Sequence, residues 1–443
     1  MILPFLYSIL LCCAPIPQST EGRFELLYTL DGKYSKGRFG FSVSSAGDFD
    51  GDGHPDILIG TPNEVSDSAH KGAAYVYSGQ NGKQLHRWVG GSRTFFGKFV
   101  TAVGDVNADG IDDVAMVDRR SKSRNDDEPL RGSVTVFSGR NGRPILGLLP
   151  ECNFHFYSTP IAAAGDVNND GHADLFITTP TGAERPRQYG SAYLISGKDG
   201  SKIHQWNGTR NRKLGFMIAN LGDVNGDAVV DVALRMTPSF PAPPGVWREP
   251  EFEKSVPPIQ IQSGKDGSLL YLCECPKRLI EATTDEPLFG WQVVNIGDVN
   301  DDHCTDFLTT FIGDRGSSNA LVFSGKDGSE LFHWPLTANP GLRIVTTPDL
   351  NGDSFNEVLI HAIEQSASGE NEQAVVKLCS VQNGTVIQKI TSPTPDTSFG
   401  YSMAFLGDIN GNGNQEVAIG AFLSDRGDKK EAGAVYVYSW ISD

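Results

Sequence analysis

The chain has 443 residues, a formal net charge of −17 and 39% hydrophobic residues. That acidity argues against a nucleic-acid partner and against charge-driven binding to an anionic membrane, while the hydrophobic content is ample for a folded core. Glycine, at 50 residues, is about 11% of the chain against a usual ~7%, which favours a turn-rich β protein.

Residues 1–20, MILPFLYSILLCCAPIPQST, carry no charged side chain and one apolar run from Ile2 to Ala14. The run is short for a bilayer span and reads as the hydrophobic region of a signal peptide, cleaved near Ser19–Gly22. A basic n-region is missing, and SILLCC lacks the small residues that normally precede a lipidated cysteine. The expectation is a leader over 1–20 and a single domain over 21–443 with no membrane insertion, placed outside the cell as a secreted, periplasmic or cell-surface protein. An isolated β-type run, FELLYTL, follows at Phe24–Leu30.

Next comes GDFDGDGHPDILIG at Gly47–Gly60, with Asp48, Asp50, Asp52 and Asp56 within nine residues. Like charges that close repel one another unless a cation sits among them. The motif returns as DVNADGIDD at 105, DVNNDGHAD at 166, DVNGDAVVD at 223, DVNDDHCTD at 298, DLNGDSFNE at 349 and DINGNGNQE at 408. Separations of 57, 61, 57, 75, 51 and 59 residues indicate a repeat architecture rather than two or three unrelated domains. Each copy is preceded by a short strand, often opened by an aromatic–glycine pair (RFGFSVSSAGD, SFGYSMAFLGD). It is followed by a β-type run such as DILIG, a glycine-led strand with a tight turn such as GAAYVYSGQNG, and a fourth apolar segment such as KQLHRWVG.

Four antiparallel strands repeated seven times predict an all-β fold, a seven-bladed β-propeller of four-stranded antiparallel blades. The last unit stops after its third strand, at GAVYVYSWISD, while FELLYTL precedes the first unit as an unmatched fourth. The N-terminal strand is therefore expected to complete the seventh blade and close the ring, removing an exposed edge.

In every loop, positions 1, 3, 5 and 9 offer side-chain oxygens. They are Asp48, Asp50, Asp52, Asp56; Asp105, Asn107, Asp109, Asp113; Asp166, Asn168, Asp170, Asp174; Asp223, Asn225, Asp227, Asp231; Asp298, Asn300, Asp302, Asp306; Asp349, Asn351, Asp353, Glu357; and Asp408, Asn410, Asn412, Glu416. Hard oxygens in this number suit Ca²⁺ better than Mg²⁺, which keeps more of its water. An EF-hand is excluded, because position 12 of the first loop is Ile59 and the flanks are strands. These positions hold 21 of the 54 acidic residues, so up to seven Ca²⁺ would bring the formal charge from −17 to −3. Loops one, two, three and seven keep a glycine at position 6, whereas Ala228, His303 and Ser354 replace it, and the positive φ it permits, in loops four to six.

The FG openings, the D-x-[DN]-x-[DN] loops and the IGTP or IGAF after them resemble FG-GAP repeats, which build the seven-bladed propeller of integrin α subunits and of many secreted bacterial proteins. The likeness runs from about Phe24 to Trp440. The SGKDG turn, present after three units, looks more like the bacterial branch, and no leg domains or transmembrane helix accompany the repeats. Two copies are eroded, with FHFYS and NPGLR where FG would stand.

No H-E-x-x-H, G-x-S-x-G or phosphate-cradling glycine loop occurs, so nothing selects a catalytic chemistry, and His86, His204 and His333, which recur before tryptophans, read as repeat consensus. Among the chain's cysteines, Cys152, Cys273, Cys275, Cys304 and Cys379 follow the leader; five cannot all pair, and their spacing is no zinc pattern.

In a four-stranded antiparallel blade the 1–2 and 3–4 loops share one face and the 2–3 and 4–1 loops the other. The acidic loops are 1–2 connections, while the long insertions at 118–131, 237–260 and 361–373 are 2–3 connections. The second insertion carries Phe240, Trp247 and Phe252 among prolines as candidate partner anchors. Arg426-Gly427-Asp428 spells RGD, which residue abundance alone explains, and Asn207 and Asn383 head glycosylation sequons. The reading is a secreted, calcium-binding propeller that engages an extracellular protein or glycan. The alternatives are a propeller-type polysaccharide lyase or hydrolase and a structural surface protein without a discrete ligand. The sequence sets no oligomeric state.

Overall fold

The computed structural model describes residues 22–442 apart from 66–70, 92–93, 120–131, 149–151, 154–160, 180, 183–188, 210–211, 239–255, 284–287, 314–317, 337–338, 366–371 and 395. The leader over 1–20 and the candidate anchors Phe240, Trp247 and Phe252 therefore lie outside the described residues.

The chain forms seven four-stranded antiparallel sheets, each a blade whose strands run outward in chain order. Blade 1 consists of Ser42–Gly47, Asp56–Val65, Lys71–Tyr77 and Gln84–Val89. Blade 7 has Phe399–Gly407, Gln415–Ala421 and Ala434–Ser442, and its outer strand is Gly22–Asp31 from the other end of the chain. Among the described residues the one helix is a single turn at Lys277–Glu281. Middle strands are buried on both faces because each blade packs between two neighbours; Asp56–Val65 is buried along nearly its whole length. The apolar cores lie between blades, as where Val417, Ile419 and Tyr436 of blade 7 pack on Leu359, Val376 and Leu378 of blade 6.

Four contacts hold the closing strand besides its ladder. Phe24 lies edge-on to Trp440, with ring centroids 5.2 Å apart, and Gln388 of blade 6 accepts the Phe24 N–H at 2.6 Å and donates to the Phe24 carbonyl at 3.1 Å. Arg426 pairs with Asp31 at 2.7 Å. The Tyr28 hydroxyl donates to the Gly79 carbonyl of blade 1 at 2.7 Å.

That last contact belongs to a recurring latch from the outer strand of one blade to the 3–4 turn of the next. Trp88 donates Nε1–H to the Gly142 carbonyl at 2.8 Å, Trp206 does the same to Gly267 at 2.9 Å, and Tyr271 donates to Gly325. His86 and His204 pack beside these tryptophans, with centroids 4.3 and 5.9 Å apart, so these two histidines belong to blade-to-blade packing.

The acidic loops join first to second strands, at the opposite end of the blades from where the second strands run into the insertions. The strands reach further than expected, since Asp113–Arg119, Asp231–Pro238 and Glu357–Gln365 each take in the first residues of an insertion.

Candidate metal centre

One hydrogen-bond pattern shapes all seven acidic loops. The position-1 carboxylate accepts the N–H of position 5 at 2.9–3.2 Å and that of position 6 at 2.7–2.9 Å. The position-5 side chain in turn accepts the N–H of position 7 at 2.8–3.1 Å. Position 2 is always apolar and buried: Phe49, Val106, Val167, Val224, Val299, Leu350 and Ile409. It pins the acidic turn to the core between blades.

The turn needs a left-handed backbone at position 6. Gly53, Gly110, Gly171 and Gly413 have φ of +85° to +90°, and the space where a Cβ would project is open. Ala228, His303 and Ser354 were expected to give up this conformation, but they adopt it, with φ of +66°, +66° and +73°. The carboxylate at position 1 holds the turn there regardless of the side chain. A left-handed non-glycine residue costs roughly 1–2 kcal/mol, partly offset by about 0.4–1 kcal/mol for the greater freedom of glycine when unfolded. Ala228→Gly, His303→Gly and Ser354→Gly should therefore each stabilise the protein by about 0.5–1 kcal/mol in urea denaturation. The gains should add, because the sites lie in separate blades. Unchanged midpoints would show that these side chains contribute something the backbone term does not capture.

Position 9 behaves differently from the other three. Asp56, Asp113, Asp174, Asp231, Asp306, Glu357 and Glu416 are fully buried and accept the N–H of position 2 at 2.7–3.0 Å. In blades 1–5 the second oxygen accepts a glycine N–H from the end of the third strand: Gly79, Gly139, Gly197, Gly264 or Gly325, at 2.9–3.1 Å. A Cβ on any of these glycines would lie 1.8–2.1 Å from the carbonyl of position 8. Blades 6 and 7 place Val381 and Trp440 there, and those are the two blades with glutamate at position 9. Ser439 Oγ donates to Glu416 Oε1 at 2.6 Å, whereas Glu357 Oε1 is buried with no hydrogen-bond partner.

Burial, only partly countered by these N–H donors, raises the position-9 carboxyls: Asp113, Asp231 and Asp306 to about 6, Asp56 to about 7 and Glu357 to about 8. Asp298 and Asp408 at position 1 lie below the usual range, because four backbone N–H donors each outweigh the burial opposing their charge. For an acid whose folded pKa is raised, the stabilising contribution is complete below its unfolded pKa near 4 and is lost as pH rises through the folded value. In EDTA, the melting temperature should therefore fall between pH 5 and pH 8. With saturating Ca²⁺, protons compete with the metal, so the slope should flatten or reverse. A flat profile in EDTA would contradict the buried carboxyl assignment.

Ligand atoms of Asp48, Asp50 and Asp52 lie within 4.8 Å of one another, as do those of Asp349, Asp353 and Glu357. These groups could hold a metal ion, and the partnerless buried Glu357 Oε1 fits one. In loop one, Asp56 does not join the converging set. Basic side chains from the 3–4 turns approach position 5 in two other loops, Arg140 at 3.2 Å from Asp109 and Lys265 at 4.0 Å from Asp227.

The RGD triplet is not presented as a free arginine. Arg426 pairs with Asp31, donates to the Tyr436 hydroxyl at 2.7 Å and lies over that ring. Asn207 and Asn383 are exposed, and Cys273, Cys275, Cys304 and Cys379 are buried free thiols.

An FG-GAP repeat model matches residues 39–77, 159–195 and 399–438. Integrin alpha pat-2 of Caenorhabditis briggsae is 30% identical over 230 residues, covering 46% of this chain and 18% of its own length. Integrin alpha-V of Gallus gallus is 28% identical over 163 residues, covering 36% of this chain and 15% of its own. The match thus spans less than a fifth of these relatives. Among solved structures, the V. cholerae biofilm matrix protein Bap1 is similar at 12% identity with a TM-score of 0.46, covering 95% of this chain and 91% of that one.

Proposed function

We propose that this FG-GAP propeller, integrin α N-terminal-like in its repeats and its seven blades, is a calcium-stabilised extracellular binding module, with its ligand on the face opposite the acidic loops. The observation that carries the reading is one oxygen-lined turn built seven times from the same hydrogen bonds, in one case ending in a buried carboxylate oxygen with no protein donor. Positions 1, 3 and 5 would supply side-chain oxygens and position 9 a buried carboxylate; a bound Ca²⁺ supplies the positive charge these groups lack. The protein's own residues preform the turn, and position 9 braces it to the third strand of the same blade.

A rigid ring with its acidic loops on one face leaves the 2–3 and 4–1 connections to engage a partner, and the likeness to integrin α chains favours binding over catalysis. An extracellular setting, as the leader expected from the sequence would give, supplies the millimolar Ca²⁺ that suits weak sites. Extracellular protein and glycan arrays probed with the Ca²⁺-loaded chain test the reading. Hits lost on substitution of 2–3 or 4–1 residues, but kept when acidic loops are exchanged among blades, are expected. Turnover of a polysaccharide, or no hit on either array, would overturn it.

A further inference from the structure

The residues that follow the phenylalanine–glycine pairs begin the innermost strands, at the end of the ring opposite the acidic loops. Phe41, Lys98, Trp291 and Tyr401 hold this position in blades 1, 2, 5 and 7. The Phe41 and Tyr401 rings lie 5.2 Å apart, and Phe422 contacts them at 5.2 and 4.6 Å. The chain's own cations cover these rings. Lys98 Nζ is 5.9 Å from the Phe41 centroid, the Arg343 guanidinium 5.6 Å from Tyr401, Arg38 5.7 Å from Phe422 and Arg235 5.4 Å from Trp291. A reciprocal pair of 2.7 Å hydrogen bonds between the Gln292 amide and the Ile344 backbone ties the inner strands of blades 5 and 6 together at this level. The contacts form two runs along one arc of the ring, Arg235 with Trp291 across blades 4 and 5, and Arg343, Tyr401, Phe41 and Lys98 from blade 6 to blade 2.

The arc lacks counter-charge at its centre. Arg235, 6% exposed, and the half-buried Arg343 each donate Nε–H to a backbone carbonyl, Phe289 at 2.9 Å and Tyr401 at 3.1 Å. Among the described residues neither pairs with a carboxylate. His361, also buried, has no hydrogen-bond partner at Nε2, and burial together with the neighbouring Arg343 disfavours its protonation. In a chain of net charge −17, guanidinium groups held off water without an acid beside them cost stability that stacking on a ring only partly offsets. With cations of the chain already against these rings, the arc is poorly suited to a partner's basic side chain and well suited to an anion.

We propose that this arc binds an acidic carbohydrate, a polymer of uronate units. Phe41, Trp291, Tyr401 and Phe422 are partly exposed and offer apolar surface to the C–H face of a sugar ring, while Arg343, and Arg38 in exchange for its exposed 3.5 Å pair with Glu431, take the carboxylates in charge-assisted hydrogen bonds. An acidic peptide matches the charge but brings no repeating flat face for the rings. The assignment rests on the binding-module reading above and names its ligand class.

Isothermal titration of the Ca²⁺-loaded full chain with a β-1,4-linked glucuronate oligosaccharide and with its methyl ester tests this on the unaltered protein. The acid is expected to bind with an affinity that falls as salt rises, and the ester at least tenfold more weakly. Arg343→Gln and Arg38→Gln should each weaken the acid at least tenfold without lowering the melting temperature, and Arg343→Gln, which removes an uncompensated guanidinium, should raise it. Equal binding of acid and ester, no binding of the acid, unchanged affinity in both variants, or equal or tighter binding of poly-glutamate would overturn the proposal. An array ligand indifferent to both substitutions would sink this assignment and leave the binding module standing, whereas silent arrays would remove both.

Discussion

Stripping divalent cations with EDTA should lower the melting temperature by about 6 °C if only the two converging loops are occupied, and by about 20 °C if all seven are. A site held at a hundred times its Kd contributes about 2.7 kcal/mol. Unfolding entropy near 2.1 cal/mol/K per residue makes about 0.9 kcal/mol correspond to one degree for a ring of this size. Glu357→Gln separates metal binding from general electrostatics. It replaces a buried carboxyl raised to about 8 whose Oε1 has no protein partner, so it should raise the melting temperature in EDTA above pH 8, where that group is charged, and reduce the gain on adding Ca²⁺. Asp50→Asn gives loop one the asparagine that the other loops carry at position 3, so it should fold normally and test how far the fourth carboxylate strengthens binding. Identical melting curves with EDTA and with millimolar Ca²⁺ would sink the metal reading.

Ring closure should have a comparable effect through a single side chain. Phe24 is 5% exposed, packed on Trp440 and bracketed by Gln388. Phe24→Ala should cost about 3–5 kcal/mol, the usual range for emptying such a site. Deleting Gly22–Asp31 does more, because it uncovers the ladder edge of Ala434–Ser442, which carries Val435, Tyr436, Val437, Tyr438 and Trp440. An open edge of that composition pairs with other chains, so the truncated protein should aggregate on light scattering where the full chain stays monodisperse. A truncated chain that remained monomeric with the full melting temperature would show that closure adds nothing to stability.

Much of this was legible in the sequence because it is written locally. The near-constant spacing of the acidic motif indicates seven blades, and the unmatched strand FELLYTL predicts the closure seen between Gly22–Asp31 and Ala434–Ser442. Alternating oxygens at positions 1, 3, 5 and 9 belong to one turn of nine residues, so their pattern needs no tertiary information. The reading went astray where a residue type stood in for a conformation. Ala228, His303 and Ser354 looked like lost glycines, yet their loops keep the left-handed backbone because Asp223, Asp298 and Asp349 hold the N–H groups of that turn.

The all-β class, the number of blades, the closing strand and the position of each acidic loop follow from periods and short motifs, which a linear chain displays directly. What position 9 does, and how cations reach the rings behind the FG pairs, emerged from the fold. Those features join residues from different strands or different blades: Gly139 reaches back to Asp113 within blade 2, and Arg343 lies over Tyr401 of the next blade. No local pattern encodes such pairs, because the packing of one blade face on the next creates them.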